Sequence, residues 1–115
     1  MSVIDIRAEE LRAMLKTKKD QLEIIDVREQ DEYDAIHIKG SKLIPMGELQ
    51  ERINEINWNK EVVFICRSGS RSKMAAYIMG GDHEIKNLRY GIYECFADGK
   101  GEHLEVDKEM IEGYF

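Results

Sequence analysis

Short apolar runs rich in Val and Ile alternate along the chain with segments whose apolar residues recur at helical spacing. This alternation is typical of β-α units whose strands form a mainly parallel sheet. The predicted strands are residues 3–6, 22–27, 42–44, 61–66 and 85–88. The pattern therefore predicts an α/β fold with a five-stranded, mainly parallel sheet and helices on both faces.

Segments with helical periodicity fill the gaps between these strands. They lie between the first two strands, where Ala8, Leu11, Met14 and Leu15 share a face, and at residues 31–35, 47–53 and 70–79. The last of them begins directly after the most apolar strand and places Met74, Ala75 and Ile78 on its predicted buried side. The pair Gly80-Gly81 is suited to end it.

Composition restricts the domain organisation and the class of partner. The chain has 115 residues, 43% of them hydrophobic and 35% charged, which suits one globular domain. We expect that domain to cover residues 1–100, with residues 101–115 as an acidic C-terminal extension packed on the same domain, its Met110 and Ile111 in one short helix. The formal net charge of -6 disfavours a nucleic-acid partner, which needs clustered Lys and Arg.

The apolar runs are too short to place the chain in a membrane. The longest, residues 62–66, has five residues, against the roughly 18 to 20 that a membrane-spanning helix needs. The first residues show neither a basic leader nor an apolar secretory segment. We therefore expect a cytoplasmic protein without a membrane partner.

Two cysteines, Cys66 and Cys95, stand in different surroundings and indicate reduced thiols, neither a disulfide framework nor a metal site. Cys66 follows the apolar run 62–65, so it lies at the carboxyl end of a predicted central strand, where open α/β sheets bind ligands. The next helix points its N-terminus at the same place. Backbone N–H groups, the helix dipole, Arg67 and Arg71 would all favour the thiolate, whereas the simpler alternative is a buried apolar cysteine before a turn.

The loop after Cys66 has the composition of an anion cradle. Small residues allow the backbone to curl so that its N–H groups face inward. The candidate site is therefore Cys66 as the catalytic residue, with a substrate-binding loop of Arg67, Ser68, Gly69, Ser70, Arg71 and Ser72.

Several segments of the chain stand in an order that fits a known family. They are Asp26-Val27-Arg28, Glu32-Tyr33, His37-Ile38-Lys39-Gly40-Ser41, Ile44-Pro45, the loop from Cys66 to Ser72, and Asn87-Leu88 with Gly91-Ile92. Together they resemble the single-domain rhodanese-like sulfurtransferases over about residues 3 to 100. The chain departs from the family pattern at Ile36, Tyr90 and Cys95, none of which belongs to the cysteine loop.

The resemblance implies a reaction through Cys66. Its thiolate would take a sulfane sulfur from thiosulfate or a persulfide donor, hold it as a persulfide, and pass it to cyanide, a small thiol or a sulfur-relay protein. Arg67 would attract an anionic donor at the mouth of the site, and Arg71 would close the loop and add positive charge. The resemblance implies no metal and no organic cofactor.

Two other functions remain open at this point. One is a non-catalytic rhodanese-like binding or sulfur-relay module. The other is a Cdc25-like phosphatase or an arsenate reductase, whose loop has five residues between its Cys and Arg; here four residues separate Cys66 from Arg71, which favours sulfur over a tetrahedral phosphate. No carboxylic acid in the loop could protonate a leaving group.

Other polar residues have mainly structural interpretations. Asp26 and Arg28 stand two residues apart at a strand end and are expected to pair. His37 is expected to bond backbone groups in a turn, and His103 to be exposed. Cys95 is expected in the core, with a resolving thiol for a Cys66 persulfide as the alternative.

Overall fold

Five parallel strands form the central sheet of the computed structural model, which describes residues 2–115. The strands in chain order are β1 (Ser2–Ile6), β2 (Leu22–Asp26), β3 (Ile36–Ile38), β4 (Lys42–Leu43), β5 (Glu61–Ile65), β6 (Glu84–Leu88) and β7 (Leu104–Val106). The order across the sheet is β1-β6-β5-β2-β4, with every pair parallel. The predicted α/β fold is confirmed, and each predicted strand lies within one residue of an observed one.

Helices cover both faces of this sheet. They are α1 (Ala8–Lys18), α2 (Gln30–Ala35), α3 (Ser70–Met79) and α4 (Gly91–Ala97). On one face Leu11 of α1 and Ile92 of α4 pack in one core, and on the other Ala75 and Ala76 of α3 pack in a second core. The sheet therefore separates two hydrophobic cores.

The central strand β5 shows how the two cores share one chain segment. Val63 and Ile65 point into the core beneath α1 and α4, whereas Val62 and Phe64 point into the core beneath α3. Successive side chains of a strand alternate between faces, so residue 66 belongs to the α3 side. Cys66 is indeed a buried member of that second core.

A second, two-stranded sheet lies outside the predicted pattern. The strands β3 and β7 pair antiparallel, with His37 opposite Glu105. Leu104 at the start of β7 is buried with Leu11 and Ile92. Three-residue strands are too short to give a readable alternation, which is why the sequence did not predict this pairing.

Two helix predictions were wrong in detail. The helix predicted at 47–53 is replaced by two 3₁₀ turns, Met46–Glu48 and Ile53–Glu55, since a segment with Pro45 before it and only Leu49 fully buried does not sustain an α-helix. In α3, the predicted inward residues Met74 and Ile78 are exposed at 58% and 66%.

The face that α3 buries is set by its contacts with the sheet. Its buried residues are Ser72, Ala75 and Ala76, with Met79 partly buried behind them. These positions form a stripe at helical spacing, rotated by about one residue from the prediction. The small side chains let the helix approach the sheet closely, which brings Ser72 beside Cys66.

Within residues 2–115, the longest helix is α1 with 11 residues. No helix in this part of the chain is long and apolar enough to cross a membrane.

Candidate active site

The Cys66 sulfur lies in a ring of hydrogen-bond donors at the carboxyl end of β5. Its Sγ accepts from the backbone N–H of Gly69 at 3.1 Å and from that of Ser72 at 3.4 Å. The Ser72 hydroxyl Oγ lies 3.3 Å from the same sulfur. The residue is fully buried, so these groups replace solvent as the partners of the sulfur. Donors held in this way stabilise negative charge on sulfur more than a neutral thiol.

The sulfur takes the place of an N-cap side chain for α3. The N-cap residue is Gly69, which has no side chain to accept from the first turn of the helix. The N–H of Ser72, in that first turn, instead points at Cys66 Sγ. The positive end of the helix dipole is therefore directed at the sulfur.

Two glycines make this loop possible. Gly69 has φ of 95°, and a Cβ there would lie 1.7 Å from the carbonyl oxygen of Arg89. Gly91 has φ of 65°, and a Cβ there would lie 2.4 Å from the carbonyl oxygen of Arg67. Both positions combine a left-handed backbone with a contact that no side chain can enter. The cysteine loop thus packs backbone to backbone against the β6–α4 turn.

The start of α4 holds the first carbonyl groups of the loop. The Ile92 N–H donates to the carbonyl of Cys66 and the Tyr93 N–H to that of Arg67, both at 3.0 Å. These bonds satisfy otherwise unpaired N–H groups of the helix and fix the peptide planes that follow the cysteine.

Ser72 also belongs to a polar chain that leads to β1. Its hydroxyl donates to Asn87 Oδ1 at 2.6 Å, and Asn87 Nδ2 donates to Asp5 Oδ1 at 3.1 Å. Asp5 pairs with Lys73 at 2.9 Å. The Lys73 hydrogen bond is the main reason that the pKa of Asp5 is lowered. This chain fixes the orientation of the Ser72 side chain.

A second polar network holds Arg71. Its two terminal nitrogens donate to the two oxygens of Glu32 at 2.9 and 2.8 Å. The Tyr114 hydroxyl donates to Glu32 Oε2 at 3.2 Å and accepts from Arg28 Nη1 at 2.8 Å. Hydrogen bonding to Arg71 lowers the pKa of Glu32 to about 2. The positive charge of Arg71 is therefore paired with a carboxylate of α2.

Arg67 occupies a different environment from Arg71. It is exposed, and its guanidinium carbon lies 5.7 Å from the centre of the Tyr114 ring and 5.5 Å from that of the Phe115 ring. Arg71 and Lys73 pair with Glu32 and Asp5, whereas Arg67 forms no ion pair within residues 2–115. Of the three basic residues of this segment, Arg67 is thus the one with an uncompensated charge.

The remaining loop residues contribute differently from one another. Ser68 and Ser70 are exposed, so at these two positions the loop presents its side chains to solvent. Gly69 and Ser72 are buried and contact the sulfur. The structure therefore brings Gly69 and Ser72 to Cys66 directly, and places Arg67 and Arg71 on networks around it.

The polar residues that were given structural interpretations behave as such. Asp26 and Arg28 are both fully buried and joined by an ion pair at 2.8 Å. His37 Nδ1 bonds the Tyr33 carbonyl at 2.8 Å, and the two rings stack. Cys95 lies in the core beneath α1 and α4, on the opposite face from Cys66, and burial raises the pKa of its thiol to about 12. This environment is that of a core residue and does not favour a resolving thiolate.

Three residues of the site were not identified as such from the sequence. Asn87 and Gly91 stood in segments that carried the resemblance, but their contacts with Ser72 and Arg67 join distant parts of the chain. Tyr114 carried no motif at all. Its half-buried position among charged residues is visible only once the last residues fold over α2 and the loop.

Comparison with known proteins places these features in a family. The family model of the rhodanese-like domain matches residues 7–98. A sulfurtransferase of Allochromatium vinosum is 37% identical over 92 residues, which cover 78% of this chain and 85% of that protein. The crystal structure of a thiosulfate sulfurtransferase from Pseudomonas aeruginosa is similar with a TM-score of 0.76 at 26% identity, over 90% of this chain and 20% of that one.

Some relatives are longer than this chain. The Bacillus subtilis protein YrkF is 52% identical over 60 residues, which cover 52% of this chain and 32% of that protein. The chain therefore spans about a third of the length of this relative.

Proposed function

This chain belongs to the family of rhodanese-like domains, and from that premise we propose that it is a sulfurtransferase that carries a sulfane sulfur on Cys66. The observation that carries the proposal is the position of the buried Cys66 Sγ, which faces the N–H groups of Gly69 and Ser72 at the start of α3. The names of the Allochromatium and Pseudomonas relatives agree with this reaction class.

The proposed reaction has two displacements. In the first, the Cys66 thiolate attacks the outer sulfur of thiosulfate, the sulfur–sulfur bond of the donor breaks, and sulfite leaves with the bonding electrons. In the second, a nucleophilic acceptor such as cyanide or a thiolate attacks the outer sulfur of the cysteine persulfide. The Cys66 thiolate is then the leaving group, so no electrons are gained or lost overall. A persulfide donor follows the same scheme with a thiolate as its leaving group.

The loop is suited to hold the negative charge in each step. The N–H groups that face the sulfur are preorganised by the glycine contacts and by α4, so they need no rearrangement when charge develops. Arg67, with its uncompensated charge at the exposed end of the loop, is proposed to attract the anionic donor. Arg71, paired with Glu32, is proposed to position the loop.

The Arg71–Glu32 pair also bears on the phosphatase alternative. A phosphate-binding loop needs its arginine free to contact the phosphate oxygens. Here both terminal nitrogens of Arg71 are engaged by Glu32, and only four residues separate Arg71 from Cys66. Both features favour sulfur transfer over phosphate hydrolysis. A non-catalytic module would have no need for donors directed at the sulfur, so this second alternative ranks lower as well.

Intact-protein mass spectrometry tests the proposal most directly. The reduced protein is incubated with thiosulfate or with a persulfide donor, and then with cyanide. We expect a mass gain of one sulfur atom that disappears when cyanide is added. Cys95→Ala, which alters only the core cysteine, should keep this gain, and Cys66→Ala should lose it. A gain that persists in Cys66→Ala, or no gain with either donor, would contradict the assignment.

Steady-state kinetics separate the proposed roles in the loop. Arg67→Ala should raise KM for thiosulfate with little change in kcat, because the charge attracts the donor before the sulfur is transferred. An unchanged KM would remove Arg67 from donor binding and leave the role of Cys66 intact.

A further inference from the structure

A cavity on the α1 side of the molecule is lined mainly by positive charge. It has a volume of about 740 Å³ and lies between α1, Lys39 of the β3–β4 turn, and residues 99–103. We call it the basic cavity, and its cationic residues are Arg12, Lys16, Lys19, Lys39, Lys100 and His103. None of its lining residues belongs to the Cys66 loop or contacts the sulfur.

The lysines of the basic cavity differ from most others in the chain. Within residues 2–115, Lys18, Lys42, Lys73 and Lys86 each pair with a carboxylate, whereas the four lysines of the cavity form no ion pair. Only two acids, Glu9 and Glu102, line the cavity. A protein with a net charge of -6 has therefore gathered unpaired positive charge in one place.

The helix dipole explains only part of this arrangement. Lys16 and Lys19 lie at the C-terminal end of α1, where positive charge is favourable. Lys39 and Lys100 come from two other parts of the chain, so the dipole of α1 does not account for them. Their convergence indicates a site for an anion.

The floor of the basic cavity contains polar atoms without partners. Arg12 Nη1 and both ring nitrogens of His103 are buried and form no hydrogen bond, although His103 was expected to be exposed. Arg12 Nη2 pairs with Asp98 at 2.7 Å, which leaves Nη1 directed elsewhere. Buried donors of this kind lower stability unless an acceptor reaches them. The exposed side chains of Lys100 and Glu102 are free to move and admit one.

The surroundings of His103 disfavour its charged form when the cavity is empty. Burial and the nearby Arg12 and Lys39 lower the pKa of His103, whereas Asp98 acts in the opposite direction. Lys100 and Glu102 line the same cavity from the neighbouring chain segment. An anion bound among these groups would favour the charged ring and give it an acceptor.

We propose that the basic cavity binds a small molecule that carries two or more phosphate groups. The volume lies in the range of small-molecule sites, and the number of unpaired cations calls for a multiply charged ligand. Arg12 and the lysines supply hydrogen-bond donors suited to phosphate oxygens. Ala13 and Leu15 form an apolar wall that suits the organic part of such a ligand.

Calorimetric titration of the full chain with inorganic pyrophosphate tests this site. We expect binding that weakens by about tenfold or more in Lys39→Gln, because one charged donor is lost. Lys60→Gln removes the same charge from an exposed lysine outside the cavity and should bind as the parent does. Equal losses in the two variants would overturn the proposal, since they would show a general charge effect.

A second variant and a second ligand guard against two other outcomes. Cys66→Ala should bind pyrophosphate normally, and loss of binding there would place the anion in the cysteine loop and overturn the proposal. An acidic peptide, hexaglutamate, should bind at least about tenfold more weakly than pyrophosphate. Equal affinity would show a preference for negative charge alone.

The imidazole of His103 provides a local readout. At about pH 6.5, near the ordinary pKa of histidine, pyrophosphate should move the His103 ring resonances in an NMR spectrum towards their protonated positions. Sodium chloride at equal ionic strength should not, and His37 and His83 serve as internal references. An equal response to both salts would contradict a bound phosphate ligand.

Discussion

Ser72 links the reacting sulfur to the fold. Its hydroxyl has a single proton, and the 2.6 Å distance to Asn87 Oδ1 assigns that proton to Asn87. The backbone N–H groups of Gly69 and Ser72 are then the main donors to Cys66 Sγ. Activation of the sulfur thus depends chiefly on the backbone, and the Ser72 hydroxyl holds that backbone in position.

Substitution of Ser72 separates these two contributions. Ser72→Ala leaves Asn87 Oδ1 buried without a donor, so we expect the free energy of unfolding to fall by about 1–3 kcal/mol. Sulfur transfer should persist at a rate reduced by about tenfold, because the backbone donors remain. Denaturant titration and steady-state kinetics measure the two effects. Ser70→Ala, at an exposed loop position, is the matched control and should change neither.

The contact of Gly91 with the loop gives a sharper test of backbone geometry. Gly91→Ala adds a Cβ 2.4 Å from the Arg67 carbonyl oxygen and requires a positive φ from alanine. We expect a loss of about 3 kcal/mol or more in unfolding free energy. Gly47→Ala, whose added Cβ meets nothing within 4 Å, should change stability by less than about 1 kcal/mol. A similar small loss at Gly91 would show that the loop and the β6–α4 turn can move apart.

At the scale of elements, the last residues of the chain form part of the site. The Tyr114 ring lies beside Arg67, and its hydroxyl joins Arg28 to Glu32. Phe115 contacts Arg67 as well and stacks on Phe96 of α4. The segment therefore connects α2, α4 and the cysteine loop.

The ring and the hydroxyl of Tyr114 have different expected effects. Tyr114→Phe keeps the ring beside Arg67, so KM for thiosulfate should stay near that of the parent while stability falls by about 1 kcal/mol from the lost hydrogen bonds. Tyr114→Ala removes the ring as well and should raise KM several-fold, since Arg67 loses a cation–π contact that orients it. If both variants raised KM equally, the hydroxyl and not the ring would position Arg67.

The unit formed by β5, the cysteine loop and α3 could be predicted from the sequence because its signals are local. An apolar run, a small-residue loop and a helical segment follow one another without interruption. The buried face of α3 was predicted one residue out of phase, because hydrophobicity favoured Met74 and Ile78 over the small Ser72 and Ala76 that pack closely. The β3–β7 pair and the role of Tyr114 depend on contacts between distant residues, which periodicity does not encode.

At the scale of the whole molecule, acid should destabilise the fold. Salt bridges and hydrogen bonds lower the pKa of Asp5, Glu32, Glu61, Glu94 and Asp98. A carboxylate with a lowered pKa in the folded state contributes stability above its unfolded pKa and loses that contribution as the pH falls. His103, with a lowered pKa, acts in the same direction, because its neutral form is the one favoured by folding.

Glu32 provides the clearest case, since its pKa falls from 4.5 to about 2. Its contribution is complete above pH 4.5 and is lost between pH 4.5 and about 2. Glu32→Gln should therefore unfold more easily at neutral pH by about 2 kcal/mol, yet lose less stability than the parent between these two pH values. Denaturant titrations at several pH values measure the slope, with Glu51→Gln, at an exposed position, as the control. Parallel slopes for Glu32→Gln and the parent would mean that the Arg71 pair does not contribute to acid sensitivity, and the loop would then be held by its glycine contacts and α4 alone.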